Sequence, residues 1–338
     1  MSPNLFRHPA STPLLPRRVL FLALAGVALI LLSLLSLSLG AKPIALSVVL
    51  DSLRLEDVHP DSILVLQSRL PRTLLGALAG AALALAGALM QALTRNPLAD
   101  PGILGVNAGA SFAVILGVAL LAVDSPAGLQ LLACIGALST TVLVYLLSAV
   151  GAERLEPMRF ILAGVAIGAL LMGLATGITL LDPATFDRIR YWSAGTLDVR
   201  NLEGVLWITP TIVCGGLLAL SLARPLNALS MGEDLARSLG TRPRRTQVLT
   251  VAAITLLCGA STAVAGPIGF IGLMIPALAR WLMGSDLRWS LPLGLLLGPC
   301  LLLLADIIGR LLVPGELRVS IVTAFVGAPV LIWLARRG

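Results

Sequence analysis

The feature that most constrains this chain is a succession of continuous apolar runs, each about as long as a helix that crosses a bilayer. They are Val19–Gly40, Thr73–Thr94, Gly105–Val123, Leu129–Val150, Phe160–Leu181, Val205–Leu222, Gln247–Ala265, Gly269–Met283, Leu291–Gly309 and Ser320–Leu334. Roughly 20 apolar residues in a helix cover the hydrocarbon core of a membrane. Lipid offers no hydrogen bonds, so a spanning segment is a helix or belongs to a closed barrel. The runs do not alternate with period two, which selects helices. Charged residues make up 12% of the chain, about half the share of a soluble domain. The chain is therefore expected to be an all-α polytopic membrane protein with about ten transmembrane helices. Residues 19–335 form one transmembrane domain behind a tail, residues 1–18. The first run follows Arg17 and Arg18 and is too long for the core of a signal peptide, so it reads as an uncleaved helix.

An even number of spans puts both termini on one side, and charge selects it. With the termini inside, the inner segments hold fifteen arginines against six acids, and the outer segments nine bases against eleven acids. Inner loops are the basic ones, which predicts cytoplasmic termini. The net charge of +7 thus lies at the ends of apolar runs and not on a nucleic-acid-binding face. Two polar segments stand out. Ala41–Arg72 lies outside. Arg224–Thr246 is the longest inner loop, and its Leu226–Leu239 stretch is patterned as a short amphipathic helix.

One break is unusual. Arg95-Asn96-Pro97-Leu98-Ala99-Asp100-Pro101-Gly102 separates two apolar, glycine-rich runs with two prolines. Irregular backbone at membrane depth is tolerated only where protein buries it or where it lines a watery cavity. The break is expected to end one helix and start the next at an offset. Asn96, Asp100 and Asn107 would then face a water-filled path, with Pro97, Pro101 and Gly102 shaping the turn. Ahead of it, Gly76, Gly80, Ala84, Gly87 and Ala88 give a small-residue face suited to close helix packing.

Catalytic chemistry is missing from the pattern. The only lysine is Lys42, so no Walker A motif exists. His8 and His59 lie outside the runs. Cys134, Cys214, Cys258 and Cys300 are isolated within the runs and read as packing residues. No catalytic residue, metal site or cofactor of this chain is expected. Asp306 and Arg310 are spaced to pair on one helix face. Ion-coupled carriers usually keep unpaired acids at mid-membrane, and none is evident. If nucleotide powers this protein, the ATPase is another chain.

Several stretches resemble the FecCD-type permeases, the membrane subunits of ABC importers for iron–siderophores, haem and cobalamin. They are Arg69-Leu70-Pro71-Arg72-Thr73, Gln91, the run from Arg95 to Ala110, Leu162-Ala163-Gly164-Val165, the run from Ala265 to Leu273, Ala305-Asp306-Ile307-Ile308-Gly309-Arg310, and the run from Val322 to Pro329. The likeness covers nearly everything after residue 40, in order. Gly105–Phe112, Ala194–Leu202, Arg288–Pro292 and Pro314–Ser320 look most like the permeases for ferric enterobactin.

The resemblance implies a type II ABC importer fold of ten helices in a bacterial inner membrane. It implies a homologous second permease subunit, a cytoplasmic ABC ATPase dimer that holds ATP-Mg, and a periplasmic siderophore-binding protein. Arg69, Arg72 and Arg310 match positions that pair with glutamates of the docked binding protein. Gly232, Glu233, Asp234, Ala236, Arg237, Leu239 and Gly240 match the segment that couples to the ATPase. In one departure, Ala277 stands after Pro276 where the family usually has histidine. Haem or cobalamin import by a member of the same family is the alternative. An ion-coupled carrier is disfavoured.

Overall fold

The computed structural model describes residues 15–40, 42–54, 60–149, 157–199, 202–313 and 316–337. Most of the tail 1–18, both histidines, Glu56, Asp57, Arg154, Arg200-Asn201 and Pro314-Gly315 lie outside the described residues. Within them all regular structure is helical. The helices are α1 (Leu15–Ser38), α2 (Leu46–Arg54), α3 (Pro60–Leu64), α4 (Leu70–Thr94), α5 (Val106–Leu121), α6 (Pro126–Ala149), α7 (Pro157–Leu181), α8 (Pro183–Ser193), α9 (Leu202–Ser221), α10 (Ala223–Ser230), α11 (Glu233–Ser238), α12 (Pro243–Ala265), α13 (Ile271–Met283), α14 (Leu287–Leu312) and α15 (Val319–Arg337).

Each of the ten apolar runs falls on one of these helices. Seven segments are long and apolar enough to cross a membrane, and three shorter apolar helices, Val106–Leu121, Ile271–Met283 and Val319–Ile332, complete the set. The polar segment before the second run is not a plain loop. It carries α2 and α3, and helix then continues without interruption from Pro60 to Thr94. Pro71 explains the irregularity in that helix. Its ring has no N–H and crowds the carbonyl four residues back. The backbone widens into one π-turn over Val65–Arg69, where Leu70 N–H donates to the carbonyl of Val65, five residues earlier. Hydrophobic patterning shows no trace of such a turn.

The buried centre of the bundle is α4, packed against α12, α13 and α14, while α5 packs against α6 and α7. Outward faces are apolar, including Leu24, Leu162, Leu170 and Phe325, as a lipid-facing surface requires. Helices in lipid gain little from hiding apolar surface against one another, so they associate by close van der Waals contact. Two glycine seams supply it. A Cβ on Gly80 would sit 2.6 Å from the backbone of Gly298 on α14, and one on Gly87 would sit 2.0 Å from the carbonyl oxygen of Gly272 on α13. The small-residue face read from α4 thus becomes two backbone-to-backbone contacts.

These distances make a prediction. Gly87→Ala should destabilise the protein by at least about 1–3 kcal/mol, because backbone must move to admit the methyl. Gly26→Ala on α1 meets nothing within 4 Å and should be neutral or stabilising by up to about 1 kcal/mol. Thermal unfolding of both variants in the same detergent checks the opposite signs.

Candidate functional site

The last turn of a helix leaves carbonyls without intrahelical donors, and at the end of α1 two arginines supply them, with a third paired beside them. Arg69 Nη1 donates to the carbonyls of Leu37 and Ser38, both at 2.7 Å, and Nη2 donates to that of Lys42. Arg310 Nη1 donates to the carbonyls of Ser36 at 3.0 Å and Leu39 at 2.9 Å, and its Nη2 to Ser36 Oγ at 2.8 Å. Arg72 grips Asp306 through Nε at 3.0 Å and Nη2 at 2.8 Å, and reaches Glu316 Oε2 through Nη1 at 2.7 Å. Asp306 also forms an ion pair with Arg310 at 3.0 Å. The cluster joins α1, the π-turn, α4, α14 and the segment before α15.

The three arginines read from sequence as one docking group are therefore together, but beneath the surface. Arg69, Arg72 and Arg310 are 5%, 8% and 8% exposed. Their burial was not expected from positions at span ends. For Arg69 and Arg310 it follows from the donors that α1 needs, and for Arg72 from its pairing with Asp306 and Glu316. The Asp306–Arg310 pair forms as the spacing predicts, with Arg72 as an added partner. Glu316 is the half-open member, its side chain 41% exposed, on backbone with φ +58°.

At the other end of α4 lies the double-proline break. Arg95 ends the helix in the left-handed region, φ 52°, and its Nη2 donates to the carbonyl of Leu229 on α10 at 2.6 Å. Asn96 Oδ1 accepts from Leu98 N–H at 2.9 Å, and Asp100 Oδ1 from Gly102 N–H at 2.7 Å. These are short local turns that replace lost helical hydrogen bonds. Pro101 then opens a 3-10 turn to Leu104, and α5 starts at Val106. A Cβ on Gly102 would lie 2.8 Å from Asp100 Oδ1 and would crowd that turn. Asn107 Oδ1 accepts from Thr262 Oγ1 on α12 at 2.8 Å. The offset between helices is as the sequence predicts. Asn96 and Pro97 are exposed, Pro101 is buried, and Asp100, Gly102 and Asn107 are half-buried. The named acceptors of Asn96, Asp100 and Asn107 are spent on protein donors.

Beside the break, α13 runs through Pro276. Pro276 has no N–H for the carbonyl of Gly272, four residues back. Gln91 on α4 fills the vacancy, donating from Nε2 to Gly272 at 3.1 Å and Leu273 at 3.4 Å. Arg280 donates to Gln91 Oε1 and so fixes the amide. Gln91, Arg95, Asn227, Ser230, Arg280 and Ser285 line a cavity of about 260 Å³ here.

The inner polar loop forms two short helices, α10 and α11, and not the single amphipathic one read from Leu226–Leu239. Gly232 breaks it with φ +118°, a conformation closed to most side chains. Three contacts tie this segment to the bundle besides packing. Arg95 holds Leu229. Asn227 donates to Asp286 Oδ1 at 2.6 Å and accepts from Leu287 N–H at 3.1 Å, at the start of α14. Gln247 on α12 donates to Glu233 at 3.4 Å. Hydrogen bonds from the Arg288 guanidinium hold the Asp286 carboxyl down at about 2, so it is ionised when it accepts from Asn227. Arg237 pairs with Glu233 at 3.5 Å and Asp234 at 3.9 Å. Ala236 is buried, and Leu239 and Gly240 are exposed.

Sequence reasoning gave no role to Ser36, Glu316, Asn227 or Asp286, whose partners are distant in the chain. Gln91 had one visible signal, a lone amide in an apolar run. Among the described residues no group of histidine, cysteine, aspartate and glutamate is placed to hold a metal ion.

The buried cluster generates a second prediction. Asp306→Asn leaves two buried guanidiniums short of their counter-charge and should destabilise the protein by about 3–5 kcal/mol. Glu316→Gln, at the open edge, should cost under about 1 kcal/mol. Equal losses in thermal unfolding would contradict the geometry.

The comparisons with known proteins agree with one another. The FecCD transport family matches residues 28–337. The chain is 54% identical over 318 residues to the ferric enterobactin transport system permease protein FepD of Escherichia coli strain K12, covering 94% of this chain and 95% of that one. It is 40% identical over 280 residues to the hemin transport system permease protein HmuU of Yersinia pestis, covering 80% and 83%. A solved structure described as an inward-facing conformation of a metal-chelate type ABC transporter superposes with TM-score 0.83 at 29% identity, over 95% of this chain and 100% of that one. With helices of this order and a family match across nearly its whole length, the chain is a multi-pass membrane permease that belongs to the FecCD transport family.

Proposed function

We propose that this chain is one membrane subunit of an ATP-driven importer that carries a ferric siderophore of the enterobactin class from periplasm to cytoplasm. The 54% identity to an enterobactin permease is the strongest support for the substrate. Both termini, the double-proline break and the α10–α11 segment are cytoplasmic, in keeping with the arginine-rich inner loops. The Arg72–Asp306–Arg310 end faces the periplasm.

One observation carries the coupling reading. Met231, Leu235 and Leu239 are 67%, 48% and 63% exposed and recur every fourth residue along the α10–α11 segment. An apolar stripe on a water-facing loop calls for a partner. The ATPase dimer fits, because Arg95, Asn227 and Gln247 anchor the same segment to α4, α14 and α12. Gly232, Glu233, Asp234, Ala236, Arg237, Leu239 and Gly240 shape this lever. At the opposite end Arg69, Arg72 and Arg310 match the family positions that pair with glutamates of a docked periplasmic binding protein. Because they are buried, in this reading they hold the docking surface in place from beneath. The second permease subunit is a homologous chain, and ATP-Mg resides on the ATPase.

Two outcomes test the proposal. Leu235→Asp should lower ATPase retention and siderophore uptake by at least about tenfold, the effect of losing about 1.4 kcal/mol of contact, while leaving membrane insertion intact. Unchanged uptake would remove the coupling role. In a strain lacking its own permeases, this chain with its cognate partners should restore uptake of labelled ferric enterobactin but not of haem or cobalamin. Haem or cobalamin uptake without the siderophore would reassign the substrate.

A further inference from the structure

At the first turn of α12, Arg242, Arg244 and Arg245 border an open concavity of about 430 Å³, completed by Val248 and Leu249. All three arginines are exposed. Among the described residues none of their side chains has an ion-pair or hydrogen-bond partner. Several other arginines are engaged, Arg72 with two carboxylates, Arg237 with two, and Arg288 with Asp286. Three like charges within one turn repel one another unless something neutralises them.

The concavity's other wall is apolar. Val248 is 38% exposed, and Leu249 is half-buried against the core. α12 is long and apolar enough to cross a membrane, and its apolar run begins at Gln247, beside Val248 and Leu249. At 1.5 Å of rise per residue, the arginine backbones lie within about 10 Å of Leu249 along the axis. Long guanidinium side chains at that depth reach the headgroup layer. The concavity therefore presents cations at headgroup level and an apolar wall at acyl-chain level.

We propose that Arg242, Arg244 and Arg245 form a binding site for an anionic phospholipid, whose phosphate lies among the three guanidiniums and whose acyl chain lies on Val248 and Leu249. This goes beyond the transport reading and does not rest on it. A soluble anion would leave the apolar wall uncovered. An acidic face of the ATPase would find its apolar partner on Met231, Leu235 and Leu239, not on residues of a span. Each arginine near an anionic bilayer contributes a preference of about fivefold, hence roughly a hundredfold for three.

The test uses the full-length chain in nanodiscs of phosphatidylcholine with a minor share of cardiolipin, followed by native mass spectrometry of the retained lipid. Wild type should retain cardiolipin over phosphatidylcholine by roughly a hundredfold. The triple variant Arg242→Gln/Arg244→Gln/Arg245→Gln should lose that preference, and Arg244→Gln alone should lose about fivefold, with thermal unfolding unchanged. Val248→Asp, with all three arginines present, should also release the lipid. Equal cardiolipin retention by wild type and the triple variant would overturn the site. So would displacement of cardiolipin by inorganic phosphate, which would make it a headgroup-only anion site. A triple variant that keeps cardiolipin but loses the ATPase would make the surface a protein contact.

Discussion

The structure depends on one constraint: away from water, every interruption of a helix exposes backbone groups that only the protein can satisfy. Several interruptions here have their own remedy. Arg69 and Arg310 serve the carbonyls at the end of α1. Gln91 serves the carbonyl that Pro276 orphans in α13. Asn96 and Asp100 close turns through the double-proline break. The few polar side chains within the bundle are thus largely spent on backbone. That is why a chain with so little charge still commits buried arginines to what resembles a docking end.

The remedies in turn dictate packing. Gln91 can reach Gly272 only because α4 and α13 touch at Gly87, where no side chain separates the backbones. Asp306 can reach Arg72 across the bundle because α4 and α14 meet closely at Gly80 and Gly298. Glycine at these positions therefore does two jobs at once. It provides the close contact that holds helices together in lipid, and it sets the distance over which the polar groups satisfy one another.

This coupling decides what was legible in the sequence. Spans were legible because each is a local property of about 20 residues. The Asp306–Arg310 pair was legible because four residues make one turn, and the offset at Asn96–Gly102 because prolines mark it. The burial of Arg69 and Arg72 was not legible. It depends on α1 ending beside α4 and α14, contacts made across more than 230 residues of chain in the case of Arg72 and Asp306. The π-turn before Pro71 escaped for another reason: it changes hydrogen bonding without changing which residues are apolar. The break at Gly232 could have been read, since a glycine inside an amphipathic pattern warns against one continuous helix.

The two proposed working ends are joined by the same pair of helices. α4 carries Arg72 near one end and Gln91, with Arg95 as its cap, at the other. α14 carries Asp306 and Arg310 near one end and is capped at the other by Asp286, which Asn227 of α10 holds. Between these ends the pair is locked at Gly80 and Gly298. Each helix is about 38 Å long, so a shift of α10–α11 against this pair acts along a stiff, doubly anchored rod. Arg95 and Asn227 attach α10 to α4 and α14 separately, so in the proposed coupling a rotation of α10 would pull on both helices and strain the seam between them. On that proposal the glycine seam, more than any residue that grips a ligand, would set how far motion at one end is felt at the other.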